Sequence, residues 1–234
     1  MNLFPYLVLA SGAVALVLFL VVRDNKSSVE AILLKTITSA LFMLLAFTCM
    51  LANQDATLIG YYGLIIMGLL FGLIGDIVLD LKILYKDNIE QSDLYTHGGM
   101  GSFFIGHIFY LAAIIIYFSF SWVALLVAVA IAAFIVFLSL KVMKMNFGKF
   151  QFNVITYTLL LTYFVTNSFA AMIDVGGASA ILLFIGATLF LLSDLVLSMT
   201  YFDGKDSKPL IIVNHVLYYS AQFLIALSIL YMVA

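Results

Sequence analysis

Apolar residues run through this chain in blocks of about 20, separated by short polar stretches. A helix needs about 20 consecutive apolar residues to cross the hydrocarbon core of a bilayer. Eight blocks qualify, at residues 4–22, 32–52, 58–83, 99–119, 121–141, 152–173, 177–200 and 209–232. The longest connection, 84–98, carries Lys86, Asp87, Glu90 and Asp93. The pattern predicts an all-α polytopic membrane protein, with eight transmembrane helices in a single domain over 1–234. Residues 5–22 have the length of a secretory leader's core. No basic residue precedes them and no small-residue cleavage site follows, so they are expected to be a retained first helix.

Composition agrees. The chain is 65% hydrophobic and 9% charged, with a mean hydropathy of +1.22. Ten basic and twelve acidic side chains are too few to clothe a soluble surface on 234 residues. A net charge of −2 offers no electrostatic footprint for nucleic acid. Cys49 stands alone in an apolar run, which excludes an intrachain disulfide or a thiolate metal cluster.

The basic residues also sort by side. Arg23, Lys26, Lys35, Lys82, Lys86, Lys141, Lys144, Lys149, Lys205 and Lys208 all fall in or beside the first, third, fifth and seventh connections. Positive residues are retained in the cytoplasm. Both termini are therefore expected outside, with the odd connections inside a cell membrane.

Ionisable groups within a span are costly and tend to be functional. With a rise of about 1.5 Å per residue, Asp76 and His107 lie about 10–12 Å in from the cytoplasmic end, and Asp194 about 9 Å in. His215, Tyr218 and Gln222 share one face of the eighth span, Asn153 and Tyr157 pair near the start of the sixth, and Lys35 is one turn into the second. Asn167 is the clearest polar residue in the outer half. This sorting by depth predicts one cavity open toward the cytoplasmic leaflet. Asp80 and Lys35 are near enough to the interface to reach it, and Lys35 to snorkel. His97 falls in the longest connection and is assigned no role.

The third and seventh spans read LFGLIGDIVLDL and LFLLSDLVLSM, and the spans that follow carry HIFYLAA and HVLYYSA. Acid-then-histidine recurs in order, which suggests two parallel four-helix halves with the cavity between them. Asp80 is matched by Ser198, so the halves differ chemically.

Taken together, these residues resemble the YhhN-like family, whose characterised members are lysoplasmalogenases. The likeness rests on Gly75-Asp76, on Gly106-His107 followed by Phe109-Tyr110, on Ser193-Asp194, and on Tyr218 to Gln222. It implies hydrolysis of the vinyl-ether bond of a lysophospholipid substrate, giving a fatty aldehyde and a glycerophospho head group, without a cofactor. Such a reaction needs a proton donor, a negative group beside an oxocarbenium-like cation, and a base for water. Two carboxyls suffice, as in glycosidases. Asp76 and Asp194 are the expected pair, one protonated and one ionised. His107 or Tyr218 would orient the water. Gln222 or Asn153 would hold glycerol oxygens, with Asp80 and Tyr157 beside them, and Lys35 and Lys82 would meet the phosphate. Two alternatives share these residues: a metal-dependent lipid hydrolase using His107, His215 and the aspartates, and a proton-coupled transporter.

Overall fold

The computed structural model describes residues 3–25, 28–85, 87–202 and 207–233. Lys26, Lys86 and Lys205, three of the ten basic residues, lie outside the described residues. The described residues form eight α-helices: α1 (Phe4–Asn25), α2 (Ser28–Asn53), α3 (Ile59–Leu81), α4 (Ile89–Tyr117), α5 (Trp122–Phe137), α6 (Gln151–Asp174), α7 (Gly177–Phe202) and α8 (Lys208–Ser228). There is no strand among the described residues. With their flanking turns, all eight are long and apolar enough to cross a membrane.

Local chemistry sets the helix ends. Asn88 and Ser121 precede α4 and α5 in extended conformation, and their side-chain oxygens accept from the N–H groups of Gln91 and Ala124. Pro209 sits in the first turn of α8, where a missing N–H costs nothing. Between α6 and α7 the chain turns at Gly176 and Gly177, with φ of +71° and +81°, a region that glycine enters without a Cβ penalty.

Two ends differ from the apolar blocks. α4 starts at Ile89 rather than at residue 99. A hydropathy count stops where charge begins, but a helix capped by Asn88, with Glu90 in its first turn, continues out of the hydrocarbon zone. His97 is therefore on a helix and not in a loop. α5 ends at Phe137 and continues as a single π-helical stretch over Leu138–Val142.

Large apolar side chains cover the outward faces. On α5, Trp122, Val123 and Leu126 are 70–71% exposed, a face that only hydrocarbon solvates without penalty. Polar side chains do the opposite and turn inward. Thr162 and Thr166 of α6 donate to the carbonyls of Ala128 and Ala124 on α5. Asn167 pins the α4–α5 turn, donating to the Ser119 carbonyl and accepting from the Ser121 N–H, each at 3.0 Å. The outer-half polar residue is thus structural.

Along the chain, α1 packs on α2, α2 on α3 and α3 on α4, and the same succession holds from α5 to α8. The ring is closed by α4 against α6 and by α2 against α8. The α3–α4 contact depends on small residues. A Cβ on Gly106 would stand 2.9 Å from the Gly68 carbonyl oxygen, and Ser102, one turn earlier, donates to the Phe71 carbonyl at 2.6 Å. Backbone faces backbone here, so neither side can yield by rotating a side chain. Gly106→Ala should lower stability by about 1–3 kcal/mol, the usual range for overpacking. Gly101→Ala, whose Cβ meets nothing within 4 Å, should be close to neutral. Equal unfolding midpoints for the two variants in detergent would refute this account of the interface.

Candidate functional site

The site is built at the end of the bundle where α1, α3 and α7 finish and α2 and α8 begin. Residues four apart share a helix face, which puts Lys35 and Ser39 on one side of α2 and Asp76 and Asp80 on the facing side of α3. Lys35 Nζ lies 2.9 Å from Asp80 Oδ1 and 3.3 Å from Asp76 Oδ1. Lys35, Asp76 and Asp80 are only 5%, 3% and 6% exposed. Lys35 therefore does not snorkel, and Asp80 does not reach out to the interface. They form a buried ionic triad, in which one ammonium faces two carboxylates.

Asp76 is held on its other oxygen as well. Oδ2 accepts from Ser39 Oγ and from the Tyr218 hydroxyl, each at 2.7 Å. Behind Tyr218 runs a short relay. Tyr110 donates to Gln222 Oε1 at 2.8 Å, and Gln222 Nε2 donates to the Tyr218 oxygen at 3.1 Å. Tyr218 can then only donate onward, so its proton is committed to Asp76. Gln222 is fully buried in this relay. Asp80 Oδ2, by contrast, has no donor among the described residues.

Asp194 has a different setting. Its Oδ2 accepts from the Tyr157 hydroxyl at 2.5 Å. No Lys, Arg or His among the described residues pairs with it. Its backbone is fixed by the preceding residue: Asn214 on α8 donates to the Ser193 carbonyl at 2.9 Å, and Ser193 Oγ donates back to the Asn214 carbonyl at 3.1 Å. Ser39 stands 37 residues before Asp76 on the chain, and Tyr157 stands 37 residues before Asp194. Each carboxyl thus takes a hydroxyl from the helix that precedes its own.

Both acids face one cavity of about 290 Å³. Lys35, Asp80, His215 and Tyr218 line it with them, as do Arg23 and Lys82. A second, almost wholly apolar pocket of about 100 Å³ runs from there between α4, α6 and α7 to Ile135 and Val136 of α5. The two share Leu79, Phe103, Asp194, Leu197 and Tyr201. Among the described residues Asp194 is the one carboxyl on this shared wall.

Two other expected residues, His107 and Asn153, lie elsewhere. His107 is off the cavity wall. Its Nδ1 donates to the Phe103 carbonyl at 2.7 Å, and its ring is enclosed by those of Phe190, Tyr157, Phe164 and Tyr110 at centroid distances of 4.5–5.9 Å. Its Nε2 is buried without a partner among the described residues. His215 makes the same bond, Nδ1 to the Ile211 carbonyl at 2.7 Å, but faces the cavity. Asn153 is bonded to His97 Nδ1 at 2.9 Å, and His97 stacks on Phe150. Among the described residues no three His, Cys, Asp or Glu side chains are grouped so as to hold a metal ion.

The family model described as the YhhN family matches residues 30–229. The chain belongs to the YhhN family. No curated protein and no solved structure shows significant similarity to it. The YhhN match takes in every residue named above on the cavity wall except Arg23, which precedes it. Ser39, Tyr110, Arg23 and Tyr219, whose hydroxyl donates to the Lys35 carbonyl at 3.2 Å, are site or support residues that the sequence pattern did not single out. Ser39, one turn after Lys35 on the same face, carried the one usable signal.

Proposed function

We propose that this YhhN-family membrane protein is a lysoplasmalogenase-type ether hydrolase, which cleaves the vinyl-ether bond of a single-chain lipid. The observation that carries the proposal is the placement of Asp194, a carboxyl without a cation, where a polar cavity meets an apolar pocket. A lysolipid has the same division. Its glycerol and head group suit the polar side, its hydrocarbon chain suits the apolar side, and its labile bond lies at the junction. The recurring packing order and the equal Ser39–Asp76 and Tyr157–Asp194 spacings support two parallel halves around that junction. The gathering of basic residues at this end supports a cytoplasmic mouth.

The two acids take different roles. Asp76, beside Lys35 and accepting two hydroxyl protons, is the ionised member. Asp194 has no cation partner among the described residues, and a buried carboxyl in that position carries a proton more cheaply than a charge. Asp194 gives its proton to the β-carbon of the vinyl ether, and the resulting cation is stabilised by Asp76. Water adds to the cation and gives its proton to Asp76. In the collapse of the hemiacetal, Asp76 returns that proton to the departing glycerol oxygen. Asp194 takes the hemiacetal hydroxyl proton and is reset. Tyr157 positions Asp194, and Asp80 Oδ2 is placed to accept from a glycerol hydroxyl.

The test is aldehyde release by the purified protein from three lysolipids of one chain length, with vinyl-ether, alkyl-ether and ester linkages. Aldehyde and glycerophospho product should appear from the vinyl-ether lipid alone. If all three stay intact, or if the ester is hydrolysed equally well, the proposal fails.

A further inference from the structure

The phosphate of such a lipid needs a cation, and Lys35 is already committed to Asp76 and Asp80. Two other cations line the cavity. Arg23, in the last turn of α1, is half-buried, with its guanidinium carbon 5.8 Å from the Phe19 ring centroid. It has no carboxylate partner among the described residues. Lys82, at the end of α3, places Nζ 3.3 Å from the Tyr201 ring centroid, on the ring that also borders the apolar pocket. Asn214 and Thr200 add neutral polar groups to this wall.

We infer that Arg23 and Lys82 form an anion subsite at the cavity mouth, which takes the phosphate of a single-chain lipid and so sets head-group preference. The subsite rests on the reading of the cavity as a lipid site. Several features support it. A guanidinium offers paired donors in the geometry of two phosphate oxygens. Burial against Phe19 and Tyr201 restricts both long side chains before any ligand arrives. The triad on α2 and α3 carries two carboxylates against one ammonium, so an incoming anion depends on these further cations. Arg23 also comes from outside the segment that the family model matches, so α1 brings to the cavity a group that the matched segment does not contain.

The experiment is a binding measurement by calorimetry in detergent, with probes that this chemistry does not cleave. They are an alkyl-ether lysophospholipid, an alkylglycerol of the same chain length, and sn-glycerol 3-phosphate. The full chain should bind the phospholipid at least ten-fold more tightly than the alkylglycerol. Arg23→Gln should remove most of that preference and leave the alkylglycerol affinity unchanged, which also reports an intact fold. Arg23→Lys should keep part of the preference. Competition by glycerol 3-phosphate alone would show that the subsite also takes the free anion. Retention of the full preference in Arg23→Gln overturns the subsite, as does equal loss on both lipids in Arg23→Gln and Arg23→Lys. A chain that shows the preference but releases no aldehyde keeps the subsite and loses the hydrolase. Aldehyde release from a phosphate-free alkenylglycerol at the rate of the phospholipid does the reverse.

Discussion

Asp194→Asn should abolish aldehyde release, with turnover falling about 10²–10⁴-fold, the usual contribution of a general acid, while binding of an uncleavable lysolipid is kept. Asparagine has the shape of the carboxyl it replaces, and its oxygen still accepts the Tyr157 proton, so the α6–α7 contact survives. What disappears is the proton for carbon. In wild-type protein that transfer should be slower in D₂O, because the proton moves in the step that makes the cation. Asp76→Asn should be similarly inactive for another reason. The amide oxygen still accepts from Ser39 or Tyr218, but the charge that Asp76 sets against the cation is gone. Wild-type turnover in either folded variant ends the carboxyl mechanism.

The largest effect on stability should come from Lys35→Met. Breaking a buried ion pair by removing one partner costs about 3–5 kcal/mol, because the other charge is left uncompensated. Here one ammonium serves two carboxylates that are 3% and 6% exposed, so its loss leaves two. Asp80→Asn should be milder, since Lys35 keeps Asp76 at 3.3 Å. Adding Asp80→Asn to Lys35→Met should recover part of the loss and not all of it, because Asp76 stays charged. Denaturant unfolding in detergent measures all three. A Lys35→Met midpoint at the wild-type value, or above that of Asp80→Asn, contradicts the triad.

The eight spans were legible because lipid leaves a chain few choices. The spanning segment must be apolar, and its backbone must be satisfied within itself. Asp76 and Asp194 stood out because charge in hydrocarbon needs a reason. Of their partners, Lys35, Tyr157 and Tyr218 stood out as well, and Ser39 did not. Ser39 read as an ordinary span residue, because a serine or threonine hydroxyl in a helix can return its proton to its own backbone, as Thr36 and Thr38 do, and Tyr110 and Tyr219 read as packing aromatics. Which hydroxyl crosses to another helix depends on rotation and register between helices, and one sequence does not state these. His107 and His215 illustrate the same gap. Their sequence contexts match and their backbone bonds match, yet one ring is sealed among aromatics and the other faces the cavity. Arg23 was legible only as a topology signal. Its place at the mouth depends on α1 lying against α2 and α8.

The order in which the carboxyl partners occur along the chain bears on how the protein is made. Helices enter the bilayer from the ribosome in sequence. When α3 arrives with Asp76 and Asp80, Lys35 and Ser39 are already in place on α2. When α7 arrives with Asp194, the Tyr157 hydroxyl is waiting on α6. Each acid meets its counterpart on the segment synthesised just before it, so no nascent intermediate need hold a bare carboxylate in lipid until the last helix emerges.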